Sequence, residues 1–214
     1  MKKVFIHLGL HKTATSFLQM EIFPKLKDIT YYFKPDILST NFSGDKILIS
    51  YEELSHTRIQ PNNPSSLNYN YEMANKLSVL FPDADIIIGI RDKDSWIKSM
   101  YSRFLLEGSK LSFSKFCSSL NPDYINQDNY VKFLKDKFRR VYIYNFKDMV
   151  KYPKKIVTEL CEFMDIDIPN FENKTYNISF SNNQKKVLRF MNIVGIRKIP
   201  GFKRLFKKGI RKSF

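Results

Sequence analysis

Four short apolar runs mark the chain, at residues 3–8, 46–50, 84–90 and 140–144, each rich in β-branched or aromatic residues. A strand that is apolar on both sides must be covered on both faces, as in a parallel sheet. Between the runs, apolar residues recur at helical spacing over residues 15–26, with Phe17, Leu18 and Ile22 along one side, and over 71–81, 95–106, 129–137 and 153–164. Strands alternating with helices predict an α/β fold, a three-layer sandwich with a central parallel sheet flanked by helices. Ligands of such sheets bind beyond the carboxyl ends of the strands, so the residues after each strand are the candidates for function. The polar stretches around residues 62–64 and 121–128 read as loops.

With 214 residues, 43% hydrophobic and 15% aromatic, the chain can bury one sizeable core. Its net charge of +15 is concentrated at one end: Arg197, Lys198, Lys203, Arg204, Lys207, Lys208, Arg211 and Lys212 meet no acidic residue between 195 and 214. Phe202, Leu205, Phe206 and Ile210 share one side of a possible helix there. The pattern divides the chain into a domain at residues 1–194 and a basic amphipathic tail at 195–214, suited either to an anionic membrane or to docking on the domain. The opening apolar run is broken by His7 and Gly9 and lacks a small-residue cleavage site, so it reads as a strand and not a signal peptide. No stretch approaches the roughly 18 apolar residues of a membrane span. The expected location is cytoplasmic, with peripheral contact at the inner membrane face through the tail. Cys117 and Cys161 stand far apart and read as free thiols.

The first strand is followed by Gly9-Leu10-His11-Lys12-Thr13-Ala14-Thr15-Ser16, which opens the first helix. Backbone N–H groups at a helix start, the positive end of its dipole, a mobile lysine and the hydroxyls of Thr13, Thr15 and Ser16 together suit a phosphate or sulfate group. The turn is P-loop-like, but His11 replaces the glycine that precedes the lysine in nucleoside-triphosphate loops. The run from His7 to Gln19 resembles the 5′-phosphosulfate-binding loop of sulfotransferases dependent on 3′-phosphoadenosine 5′-phosphosulfate, particularly short bacterial, carbohydrate-directed members. Ala14 stands where that pattern commonly has glycine. The change is mild if position 14 has helical dihedrals and crowds the ligand if φ must be positive.

Arg91 ends the apolar run 86–90, and Ser99 follows eight residues later on a helical stretch. The residues alone leave Arg91 free to pair with Asp92 or Asp94. Their spacing resembles the 3′-phosphate-binding strand and helix of the same family, and residues 140–148, 154–165 and 177–179 are similar to its later segments.

The resemblance implies a donor bound by Gly9, His11, Lys12, Thr13, Ala14, Thr15, Ser16, Arg91 and Ser99, with Lys12 also catalytic at the leaving oxygen. It implies Glu52 as the base that takes the acceptor's proton, with Glu53 and His56 as alternatives; the bland reading makes Glu52 and Glu53 helix-start acids. His7 reads as a packed strand residue. No metal spacing is visible, so no metal is expected. The implied partners are the nucleotide donor and a carbohydrate or lipid-linked glycan acceptor, without nucleic acid. The competing readings are a P-loop-like kinase using ATP and a basic membrane- or nucleic-acid-binding module.

Overall fold

The computed structural model describes residues 2–172 and 180–195. The tail beyond Gly195 and residues 177–179 lie outside the described residues. The described strands are β1 (Lys3–His7), β2 (Thr30–Phe33), β3 (Lys46–Ser50), β4 (Asp85–Ile90) and β5 (Arg140–Asn145), all parallel, in the order β2-β3-β1-β4-β5. The helices are α1 (Thr15–Phe17), α2 (Tyr71–Leu80), α3 (Lys93–Glu107), α4 (Phe113–Ser118), α5 (Pro122–Ile125), α6 (Gln127–Lys137), α7 (Phe146–Lys151), α8 (Pro153–Met164) and α9 (Asn182–Ile193).

Strand periodicity sorts the core into two layers. Ile6, Leu8, Ile47, Ile49, Ile86 and Ile88 pack on one face against residues of α2, α3 and α6. Phe5, Leu48 and Ile87 pack on the other against Phe17, Leu18 and the apolar stripe of α8. This is the three-layer sandwich expected from the sequence. The strand β2 was not foreseen: it is a half-exposed edge strand whose Thr-Tyr-Tyr-Phe run lacks a continuous apolar signal.

Two local expectations change. The helix expected over residues 15–26 is one turn of α-helix, then a π turn at Leu18–Ile22 and a 3-10 turn at Phe23–Lys25, where Pro24 brings helix formation to an end. The loop expected at 121–128 holds α5 and the start of α6. Asn121 and Asn126 each cap a helix N-terminus by accepting a backbone N–H, and Pro122 sits in the first turn. The residues that signal a loop in the sequence are also the ones that start helices. The stretch at 62–64 leads into a 3-10 turn at Pro64–Ser66.

Candidate active site

β1 lies between β3 and β4, and the chain crosses from β3 over β1 to reach β4. The loops after β1 and β4 therefore depart in opposite directions, leaving a crevice at their carboxyl ends. The loop from Gly9 to Ala14 borders it.

Each carbonyl from Gly9 to Lys12 is held by a side-chain donor. Ser55 Oγ donates to the Gly9 carbonyl (3.2 Å), and Thr13 Oγ1 and Thr15 Oγ1 donate to that of Leu10 (2.8 and 3.3 Å). Trp96 Nε1 donates to the His11 carbonyl (3.2 Å) and Arg91 Nη1 to that of Lys12 (3.0 Å). In a trans peptide the N–H points opposite to the C=O, and the described residues contain no cis bond. The amides of His11, Lys12 and Thr13 therefore each point away from the donor that holds the carbonyl of the same peptide unit.

The turn requires left-handed backbone at Lys12 (φ 64°) and Ala14 (φ 69°). The glycine-favoured case thus holds at Ala14, at a cost of about 1–2 kcal/mol for a residue with a Cβ. Gly9 serves a different purpose. A Cβ there would lie 2.5 Å from Thr15 Cγ2 and 3.1 Å from Glu52 Cγ, so its bare backbone lets both side chains close over the end of β1.

Thr13 and Thr15 are buried, and their hydroxyls shape the loop by bonding to the Leu10 carbonyl, where the sequence suggested bonds to the ligand. The Tyr144 hydroxyl lies 3.4 Å from His7 Nε2. His7 Nδ1 meets Ser50 Oγ at 2.7 Å, and Gln19 donates to the same oxygen at 2.9 Å. Burial pushes the His7 pKa down to about 3, so it is a neutral, packed strand residue, as expected.

Arg91 forms no ion pair with Asp92 or Asp94 among the described residues. Its backbone N–H donates to Gln127, its Nε donates to Ser95 Oγ (2.8 Å), and its guanidinium lies 3.9 Å from the Phe146 ring centroid. The serine bonded to Arg91 is thus Ser95. Ser99 is buried one turn further along α3, the helix whose Trp96 grips the loop. Beside Arg91 opens a cleft of about 520 Å³, lined by Ile90, Asp92, Asn126, Gln127 and Asn145 among others.

Glu52 opens a 3-10 turn, Glu52–Leu54, directly after β3. Its pKa is raised by burial, against the opposing pull of Lys34, Arg103 and Lys12. Glu53 is exposed and accepts a hydrogen bond from Tyr51 (2.8 Å). His56 is buried, and its ring lies against that of His11, with centroids 3.4 Å apart and the planes tilted by 32°. No metal spacing was visible in the sequence, yet the fold brings His11, Glu52 and His56 together with one ligand atom from each within 4.8 Å of the others. Sequence reading also missed Trp96, Tyr144, Lys34 and Arg103. For Trp96 and Arg103 a signal existed, because they fall with Ser99 on one face of a helix.

A model described as the sulfotransferase family matches residues 8–170. A search among curated proteins found no match. Among solved structures, a sulfotransferase from Alicyclobacillus acidocaldarius has a similar fold, with a TM-score of 0.57 and 16% identity over 89% of this chain and 91% of its own. Mouse sulfotransferase SULT7A1, complexed with PAP, has a TM-score of 0.52 and 13% identity over 89% of this chain and 64% of its own.

Proposed function

Since the chain belongs to the sulfotransferase family, we propose that its donor is 3′-phosphoadenosine 5′-phosphosulfate, bound by the loop from Gly9 to Ser16 and by Arg91 and Ser99. The observation that carries this reading is the row of loop carbonyls held inward by Ser55, Thr13, Thr15, Trp96 and Arg91. It preorganises the opposite amides for an anion before any ligand arrives. The 5′-phosphosulfate would lie against the amides of His11, Lys12 and Thr13, the 3′-phosphate near Arg91 and Ser99, and the adenosine towards the adjoining cleft.

In the transfer, an acceptor oxygen or nitrogen forms a bond to sulfur while the bond from sulfur to the bridging phosphate oxygen breaks. Negative charge gathers on that leaving oxygen, and the Lys12 ammonium offsets it. The acceptor's proton passes to Glu52, whose burial raises its pKa and so improves it as a base. Glu53, exposed and turned to Tyr51, suits this role less well. The acceptor we propose is a hydroxyl or amine of a carbohydrate, including a lipid-linked glycan. The basic tail after the domain at 1–194 would then hold the enzyme at an anionic membrane surface on the cytoplasmic side. Among the described residues no helix is long and apolar enough to cross a membrane.

Calorimetric titration with adenosine 3′,5′-bisphosphate in chelator tests the donor site. Lys12→Ala and Arg91→Ala should each weaken binding tenfold or more, about 1.4 kcal/mol. Absence of binding to the wild type, with ATP and magnesium bound instead, would refute the donor assignment.

A further inference from the structure

The adjoining rings of His11 and His56 contain two polar atoms that the sulfuryl-transfer scheme does not use. The Nε2 atoms of both rings are buried and have no hydrogen-bond partner among the described residues. A buried nitrogen left in this way destabilises the fold unless something binds it. His56 is only 2% exposed, and its Nδ1 lies 3.1 Å from the Thr57 carbonyl. A carbonyl only accepts, so Nδ1 carries the proton and Nε2 presents a lone pair. This is the outer hydrogen bond that fixes the tautomer of metal-binding histidines.

The position of His56 is held firmly. It forms an antiparallel bridge to Tyr69, flanked by bonds from Thr57 N to Asn68 O and from Asn70 N to Ser55 O (both 3.0 Å). His11 is held through its own carbonyl by Trp96. Glu52 completes the group from the turn that begins the same segment.

We propose that His11, Glu52 and His56 form a site for a divalent transition-metal ion of the zinc type, beside the loop that Lys12 occupies. Two imidazoles and one carboxylate are a donor set that zinc accepts while keeping a position open. One ligand atom from each residue already lies within 4.8 Å of the other two, so closing around an ion needs rotation of side chains and no change of fold. Lys12, Lys34 and Arg103 surround the carboxylate. Arg103 is paired with Glu107 at 2.9 Å, and the positive charge of these three residues weakens the site relative to a structural zinc centre. The bound metal would engage the carboxylate assigned to the acceptor's proton, so metal occupancy and sulfuryl transfer share one group.

The test adds Co²⁺, a coloured stand-in for Zn²⁺, to the chelator-stripped full chain. The expected result is a visible absorption band that saturates at one equivalent, is abolished by Zn²⁺, and is accompanied by a rise in melting temperature. His56→Gln and Glu52→Gln, each verified as folded by circular dichroism, should weaken Zn²⁺ binding tenfold or more. If His56→Gln does not fold, Glu52→Gln at the rim of the group carries the test. Absence of a saturable band, or unchanged affinity in the folded variants, would overturn the proposal. Adenosine 3′,5′-bisphosphate binding, measured in the same samples, separates failure of the metal site from failure of the donor assignment.

Discussion

Lowering the pH from about 7.5 to about 5 should destabilise this protein through its histidines, and the size of the effect comes from their burial. The chain has three histidines, His7, His11 and His56. Burial pushes His7 down to about 3 and His56 to about 4, and holds His11 well below its ordinary value with help from neighbouring charges. In the unfolded chain each titrates near 6.5. Between the folded and unfolded values, the unfolded state binds protons that the folded state refuses. Stability is therefore fully present above the unfolded value and is lost as pH falls towards the folded one. At about pH 5, His7 and His56 each forfeit about 2 kcal/mol, or roughly 4 together, against a typical total of 5–15 kcal/mol. Glu52 opposes this in part, since a raised carboxylate pKa makes the folded state take up its proton first. The assay is urea unfolding across this range in chelator, with His7→Asn as a second sample whose pH slope should be shallower. A wild-type stability that changes by less than about 1 kcal/mol over the interval would refute the reasoning.

Gly89→Ala should lower stability by about 1–3 kcal/mol in the same assay, because a Cβ there would lie 2.5 Å from the Tyr144 ring, and a neutral result would mean the ring can move. Ala14→Gly should raise stability by up to about 1 kcal/mol by relieving the left-handed alanine, less the entropy glycine adds to the unfolded chain; a loss would show that φ of 69° is unstrained there. Trp96→Phe keeps the ring and removes the donor to the His11 carbonyl. Calorimetry should then show adenosine 3′,5′-bisphosphate binding weakened about fivefold, on the order of 1 kcal/mol, and undiminished affinity would mean the loop holds its shape without that bond.

The layered α/β architecture was legible because β1, β3, β4 and β5 are apolar on both sides, a pattern that few settings other than a doubly covered sheet satisfy. The turn between β1 and α1 was legible because its residues are consecutive. Elements that depend on context were not. The edge strand β2 owes its existence to pairing with β3, and Asn121, Pro122 and Asn126 are loop residues or helix starters according to the residues after them.

At the site, the chain order by itself determined that Lys12 comes after β1 and Arg91 after β4, and a parallel sheet turns those facts into neighbourhood at one edge. Only the tertiary structure decided which partners each would find. Arg91 holds the Lys12 carbonyl across 79 residues of sequence, and Trp96 holds that of His11 across 85. His11 and His56 bring their rings together, although nothing in their spacing predicts it. A local pattern can encode periodicity and turn chemistry, but contacts between distant segments depend on how the layers pack, and no short window of sequence contains that information.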